Sequence, residues 1–511
     1  MAFHSILFES PEDGPPRGTV VAPEFFGDLN LDQVVGDIVR GYDEYDLVPF
    51  FRTELKSERA VTYRHDVMRD LDRSEISAEI QSFTLAMRKM RASLEQAEQL
   101  HYPKQKQWWF LEAASQYCLA TRALCSALDQ AALKSRGLVE FVEWLRGYLG
   151  SASFDTLQRD VEAARTALDA VRYCLRVNGS VVTVFNDSGE TDFGAHVLGL
   201  FERFRQGDVK DRHVELKDWP EMNHVEARVL DCAAELDPQP FARLSDFVAK
   251  HADFLDPTVA TFDREIQFYV AYRGYIQPCR EAGLAFAYPS VSSVNKSIRC
   301  DDTFDLALAS KLCAQGSPVI CNDLYLEGPE RIFVVSGPNN GGKTTFARTF
   351  GQLHYLGRLG CPVPGTRASL FLYDRLFAHF EREENTADLR GKLQDDLMRM
   401  RDILARATPR SIILMNEIFS STTLADAMFL CRSMVGRIID LDALGVCVTF
   451  IEELARLGPQ TVSMVSEIAP GDPSARTLRV RRRPADGRAY AVSIAEQYGL
   501  TYERLKERLA S

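Results

Sequence analysis

The feature that most restricts the fold of this chain is a glycine-rich turn set between a strand and a helix. Arg331-Ile332-Phe333-Val334-Val335 is largely β-branched and apolar. It runs directly into Ser336-Gly337-Pro338-Asn339-Asn340-Gly341-Gly342-Lys343-Thr344-Thr345, after which Phe346-Ala347-Arg348-Thr349 reads as helix. From Gly337 onward the text satisfies G-x-x-x-x-G-K-[ST] in the setting that pattern requires. Glycines let the backbone wrap an anion, so that several N–H groups and a helix N-terminus face a phosphate. The pattern predicts a nucleotide site built from Gly337, Pro338, Asn339, Asn340, Gly341, Gly342, Lys343, Thr344 and Thr345. Lys343 would reach the β- and γ-phosphates, and Thr344 would hold Mg²⁺ through its hydroxyl.

Some seventy residues downstream lies Ser411-Ile412-Ile413-Leu414-Met415-Asn416-Glu417-Ile418. An apolar run ending in an acid reads as a buried strand that delivers its last side chains to the same site, the Walker B arrangement. Glu417 is placed to polarise an attacking water. Asn416 stands where an aspartate normally meets the metal; an amide can accept from Mg²⁺-bound water but contributes no charge. The plainer alternative for Glu417 is a capping or salt-bridging acid.

At 511 residues the chain is too long for one ordinary domain, and two or three are expected. With 46% hydrophobic and 26% charged residues, disordered, collagen-like and fibrous chains are excluded. No apolar run is long enough to span a bilayer, and the opening MAFHSILFESPEDGPPRGTV has no basic n-region. A soluble, cytoplasmic protein without a membrane partner is therefore expected. Sixty basic against seventy-two acidic residues give a net charge of −12, so any nucleic-acid contact must come from a local basic patch or an enclosed channel. The eleven cysteines are scattered without a C-x-x-C pair, which argues against a disulfide framework or a structural zinc site.

Before the phosphate loop the text is mostly helical. Ile76, Ile80, Phe83, Met87, Met90 and Leu94 form one stripe of a long amphipathic helix. A second stripe follows Trp108 and Trp109 through Leu111, Cys118, Cys125 and Leu128. A third runs Phe154, Leu157, Val161, Ala164, Leu168, Val171 and Leu175. All three read as helix-packing core. The period changes after Asn178-Gly179, where Ser180 to Phe185 reads as strand, and helices resume at His196 to Arg205 and Glu226 to Leu236. Val259, Phe262, Ile266, Tyr269 and Arg273 mark another long helix, and Tyr288-Pro289 reads as a boundary. This divides the chain into an N-terminal segment (1–50), a helical domain with a small β element near 176–190 (51–290), and an α/β nucleotide-binding domain (291–511).

GPNNGGKTT resembles the phosphate loop of the MutS family, ABC-type ATPases known for DNA mismatch repair. The likeness extends to Ser317-Pro318-Val319-Ile320-Cys321-Asn322, where the family's adenine-contacting segment lies, and to Gly360-Cys361-Pro362-Val363-Pro364 and Asp374-Arg375-Leu376-Phe377. Asn416-Glu417-Ile418 with Thr422, Thr423 and Asp426 follows the family's Walker B stretch, and Val448-Thr449-Phe450 its A-T-H strand end. Tyr490 to Leu505 looks like its C-terminal dimerisation element, and Tyr63 to Leu71 lies near the start of its helical core. The resemblance implies an α+β multidomain fold: a long-helix core and lever domain with a small β clamp insertion, then an ABC-type P-loop ATPase domain. It implies ATP and Mg²⁺ as cofactors, Val319, Ile320 and Asn322 at the nucleotide, a homodimer, and DNA contacted through backbone and shape.

The departures from the family pattern bear on activity. Asn416 replaces the Walker B aspartate, and Phe450 occupies the place of the switch histidine. The trans-acting signature has only a degenerate counterpart at Asp388-Leu389-Arg390-Gly391-Lys392-Leu393-Gln394. Either Arg390, Gly391 and Lys392 serve a neighbouring γ-phosphate or they begin a solvated basic helix. The text before residue 50 leaves no room for the family's mismatch-recognition and connector domains, so a short form is expected. Phe141-Val142-Glu143 falls in helical text and reads as core rather than as a minor-groove wedge. Candidate DNA contacts are Arg176, Arg203, Arg205, Lys210, Arg212 and Lys217, and the basic strand of Arg479, Arg481, Arg482, Arg483 and Arg488, which also reads as a solvated edge. Two functions compete. One is a slowly hydrolysing ATPase clamp on DNA in repair or recombination, without direct mismatch reading. The other is a hydrolysis-deficient, nucleotide-gated dimeric scaffold for a protein partner.

Overall fold

The computed structural model describes residues 3–14, 20–187, 189, 221–380, 391–469 and 472–485. The chain divides into two units, Asp72–Leu133 with Glu140–Asp263, and His4–Leu71 with Lys134–Val139 and Arg264–Ser511.

The first unit is built on helices Ser74–Gln99 and Pro103–Gln130, joined by a short turn into a helical hairpin. Neither has an internal glycine or proline, and Pro103 sits at the first turn, where its missing N–H costs nothing. The predicted stripe Ile76, Ile80, Phe83, Met87 and Met90 is buried. Phe262 stacks on Phe141 with ring centroids 3.6 Å apart, and Phe83 packs against Phe262. Phe141-Val142-Glu143 thus lies within the helix Arg136–Leu149 as core, as its periodicity predicts. The third stripe is shorter than expected. Its helix, Ala152–Asp169, buries Phe154 to Ala164 and ends at Ala170, and Leu175 is an exposed strand residue. An apolar spacing that continues past a helix end carries no information about where the helix stops.

That strand is β1 (Tyr173–Asn178), paired antiparallel with β2 (Val181–Asn186) across Asn178-Gly179. Gly179 takes φ +63°, the left-handed conformation this tight turn needs. The helix expected from Glu226 to Leu236 runs His224–Leu236 and opens on a capping box between Asn223 and Glu226. The segment expected as helix from His196 to Arg205, together with Lys210, Arg212 and Lys217, lies outside the described residues.

The second unit contains β3 (Phe286–Ala287), β4 (Ser290–Ser292), β5 (Ile298–Thr303), β6 (Asn322–Leu326), β7 (Ile332–Ser336), β8 (Val363–Pro364), β9 (Arg367–Phe371), β10 (Leu376–Phe380), β11 (Ile412–Asn416), β12 (Leu444–Val448), β13 (Thr461–Ala469) and β14 (Asp472–Arg482). The main sheet has the order β10-β11-β12-β7-β13-β14, and a four-stranded sheet has the order β4-β9-β5-β6. In the main sheet every pairing is parallel except β13 with β14. Strands β7, β11 and β12 are buried along their whole length. Their near-continuous Val, Ile and Leu content suits strands covered on both faces. Helix Lys343–Arg358 follows β7, and helices Lys392–Arg406 and Leu424–Asp440 flank β11 in sequence. Ile413, Met415, Met400, Ile403, Cys431, Val435 and Cys447 share one core between these elements.

The boundaries at residues 50 and 290 are not those of the compact units. Residues 4–71 pack with the nucleotide-binding domain because polar groups hold them there. Gln352 donates to the carbonyl of Leu29 at 2.9 Å, Arg358 to that of Leu55 at 2.9 Å, and Tyr355 to that of Phe51. Arg64, fully buried, donates to the carbonyls of Leu7 and Leu359 and lies over the rings of Phe8 and Phe268. Glu265 accepts from the Ser5 hydroxyl at 2.7 Å and the Ile6 N–H at 2.9 Å. A buried guanidinium left without such partners would be strongly destabilising. The eleven cysteines are free thiols, and no described helix is long and apolar enough to cross a membrane.

Candidate nucleotide site

β7 ends at Ser336, and the loop turns through Gly337 at φ +117°, Asn340 at φ +57° and Gly342 at φ +91° into the helix from Lys343. Two glycines here have no room for a side chain. A Cβ at Gly341 would meet Ser466 Oγ at 2.1 Å, and one at Gly337 would meet Ser466 Cβ at 3.0 Å. Ser466 on β13 forms the floor of the loop, its hydroxyl donating to the Gly341 carbonyl at 2.6 Å. The first N–H groups of a helix have no intrahelical partner, so this start faces the cavity with partial positive charge.

That cavity is about 660 Å³ and is lined by Asp305, Leu308, Leu312, Pro318, Val319, Ile320, Asn322, Asn339 through Thr345, Glu417 and Leu478. One end is apolar and the other is the loop, the division a nucleotide's base and phosphates require. Gly337 and Pro338 lie behind the lining, at the strand end. Asn416 lies one hydrogen bond from it, accepting from the Thr344 hydroxyl at 3.0 Å. Thr344 and Asn416 thus converge two oxygens, one from the helix start and one from the end of β11. Both are neutral, a donor set suited to Mg²⁺ that keeps several waters and takes its anionic ligands from phosphate.

Lys343 is almost fully buried, and burial pushes its ammonium below the ordinary lysine range while the Glu417 carboxylate pulls it back. Its Nζ donates to the Gly337 carbonyl at 2.9 Å and to Asn339 Oδ1 at 3.2 Å, with Glu417 Oε1 at 3.6 Å. Glu417 is held at φ +53°, its N–H bonded to the Val448 carbonyl at 2.9 Å. Backbone strain of this kind is tolerated where the surroundings fix it. Part of that fixing comes from Asp396, which accepts from His379 Nε2 at 2.8 Å and from the Phe419 N–H at 3.2 Å.

Asn322 lines the cavity, but its amide is engaged with β14. It accepts from the Val480 N–H at 2.7 Å and donates to the Leu478 carbonyl at 3.4 Å. This holds Leu478, at φ +59°, over the apolar end. Asp305, paired with Arg348 and bonded by Gln352, borders the same end. No periodicity or motif singles out Ser466, Leu478 or Asp396, because each reaches the site from a distant strand or helix. Gly391 caps the helix from Lys392, and neither lines the cavity; Arg390 lies outside the described residues, as do Arg488 and the C-terminal stretch from Tyr490.

Strand, phosphate loop, helix and, one strand further across the sheet beyond β12, the acid-tipped β11 have the form of a P-loop nucleotide-binding α/β domain. Residues 333–501 match the family described as MutS domain V. It is 26% identical over 301 residues to a DNA mismatch repair protein MutS of Chlorobium phaeobacteroides, covering 57% of this chain and 34% of that protein. The corresponding figures are 24% over 324 residues, 61% and 35%, for the protein of the same name from Shouchella clausii. For that of Chloroflexus aurantiacus they are 26% over 291 residues, 54% and 28%. The chain spans about a third of the length of these relatives.

Proposed function

We propose that this chain binds ATP with Mg²⁺ and hydrolyses it slowly, as the ATPase of a homodimeric, DNA-associated clamp in repair or recombination. The observation that carries this reading is the convergence of Lys343, the Thr344–Asn416 pair and Glu417 on one helix start inside a cavity with an apolar far end. Lys343 would neutralise the β- and γ-phosphates, and Thr344 and Asn416 would hold the ion and its waters. Glu417 would orient and deprotonate water. Bound Mg²⁺ would supply charge neutralisation at the phosphates. Val319, Ile320, Leu308, Leu312 and Leu478 would enclose the base. The relatives' printed name, DNA mismatch repair protein, supports DNA as the partner. Exposed Arg176 on β1, Arg479 on β14 and Arg483 just beyond it are among the described cations available to phosphates, and such contacts position a protein without reading sequence.

The second reading, a scaffold gated by nucleotide binding alone, is favoured by one observation: the metal-side residue is an uncharged amide, bonded to Thr344. Nucleotide binding and steady-state phosphate release, measured on the wild type with Lys343→Ala and Glu417→Gln, separate the two. The ATPase reading expects Lys343→Ala to lose binding and Glu417→Gln to keep it while phosphate release stops. Phosphate release by the wild type no faster than by Lys343→Ala would leave the scaffold. Equal loss of affinity in both variants would remove Glu417 from the chemistry.

A further inference from the structure

Lys343 supplies the charge that a phosphate must find, yet the structure shows that charge already engaged on every side. Two of its hydrogens go to Gly337 and Asn339, and the Glu417 carboxylate stands beside it. The remaining side is covered by Phe450, whose ring centroid lies 4.2 Å from Nζ. Phe450 follows β12 after the buried Thr449, whose hydroxyl accepts from the Ile451 N–H at 3.0 Å, so the backbone carrying the ring is anchored on both sides. The ring itself is 54% exposed. Burial alone therefore does not account for its position, and the Lys343 ammonium is a specific contact of its face.

The face of a phenyl ring is electronegative and attracts a cation. The same face offers a phosphate nothing, because it carries no donor and repels negative charge. A contact of Lys343 that a bound phosphate has to displace lowers affinity, since a ligand shifts an equilibrium only by what it gains in one state over the other.

We propose that Phe450 is a positioning residue that parks Lys343 against Gly337 and Glu417 and must release it before phosphate binds. The inference rests on the reading of the cavity as a nucleotide site. Phe450 thereby slows nucleotide entry and weakens the resting affinity. A cation–π contact to a half-exposed ring corresponds to roughly two- to fivefold in a binding constant.

The test uses the full chain with Phe450→Leu, which keeps an apolar side chain without the ring, and with 3,4,5-trifluorophenylalanine at position 450, which keeps the ring and weakens its face. Equilibrium and stopped-flow binding of a fluorescent ATP analogue with Mg²⁺ should show affinity rising roughly two- to fivefold in both, chiefly through faster association. Weaker binding in Phe450→Leu would mean that the ring touches the nucleotide, and would overturn the proposal. So would a change in Phe450→Leu that the fluorinated ring does not share, which would be steric, or no change in either. A second readout needs no nucleotide: lysines labelled at Cε, with Lys343 identified through Lys343→Ala. Its Hε protons should be shifted upfield by the ring and return in Phe450→Leu. That result would stand even if the wild type bound no ATP, in which case the nucleotide reading and not the parking would fall. Absence of the ring shift in the wild type would overturn the parking itself.

Discussion

Gly341→Ala should damage the phosphate loop through its floor rather than through the ligand. The added Cβ would stand 2.1 Å from Ser466 Oγ, 3.0 Å from the Pro338 carbonyl and 3.1 Å from Ser466 Cβ. Rotating the Ser466 hydroxyl away relieves only the first of these and breaks its 2.6 Å bond to the Gly341 carbonyl. Because Ser466 is fully buried, the freed groups find no water. The lost hydrogen bond costs about 1 kcal/mol and the overpacking about 1–3 kcal/mol, so about 2–4 kcal/mol is expected. Ser466→Gly alone should cost about 1.5–2 kcal/mol, from the same bond and from a glycine within a strand. The double variant removes both contacts with Ser466, though not the one with Pro338, and loses the shared hydrogen bond only once, so its cost should fall short of the sum by about 1–4 kcal/mol. All four tryptophans precede residue 220 and report poorly on this sheet, so urea titrations should follow far-UV circular dichroism, with hydrogen exchange on peptides covering β7 and β13. Additive losses in the double variant, or a Gly341→Ala protein as stable as the wild type, would refute Ser466 as the reason this position is glycine.

Asn416→Asp places a carboxylate beside Thr344, and the Mg²⁺ concentration for half-maximal ATP binding should fall by an amount equivalent to about 1–3 kcal/mol, read by metal titration. Unchanged Mg²⁺ dependence would remove Asn416 from the metal. Stability against pH should also show opposing buried groups. Burial lowers His65 to about 3, with Arg69 adding to the effect, and His354 to about 4; it raises Glu265 to about 7. The histidines contribute stability above pH 6.5 that is lost as pH falls, whereas Glu265 contributes stability at low pH that is lost as pH rises towards 7. Between pH 4.5 and 6.5 the unfolded chain holds two of these protons and the folded chain one, so stability rises by about 1.4 kcal/mol per pH unit from the three groups. Glu265→Gln should steepen this to about 2.7 kcal/mol per unit in urea titrations at pH 5 and 6, and equal slopes would contradict the protonated Glu265. Phe141→Ala should cost about 3–5 kcal/mol as a core truncation and leave any mismatch-over-matched DNA preference under about tenfold; a hundredfold preference in the wild type, abolished by this variant, would make Phe141 a wedge.

The phosphate loop and the Walker B strand were legible because their signals are local. Ile332 to Val335, the glycines and Lys343-Thr344 are consecutive, and their order alone implies strand, turn and helix. Ile412 to Glu417 announces a buried strand with a polar tip in the same way. The helix stripes of residues 76–90 were legible because a period of 3.6 needs no knowledge of the partner. Periodicity failed where an element ended, as at Asp169, because the apolar spacing ran on into a strand. It also said nothing about which unit residues 4–71 join.

What the sequence by itself determined is therefore a set of elements and a phosphate-binding turn, each specified by residues within a few positions of one another. The tertiary structure decided how that turn is held and guarded. Ser466 lies 125 positions from Gly341, Phe450 more than a hundred from Lys343, and Leu478 about 150 from Asn322. No local rule couples residues so far apart in the chain. They meet because a parallel sheet sets β11, β12, β7 and β13 side by side with their C-terminal ends together, and the loops leaving those ends must share the space above the helix that follows β7. The same geometry ties Asn322, expected at the nucleotide and lining the cavity, to β14, because an amide bonds to whichever backbone groups packing brings to it.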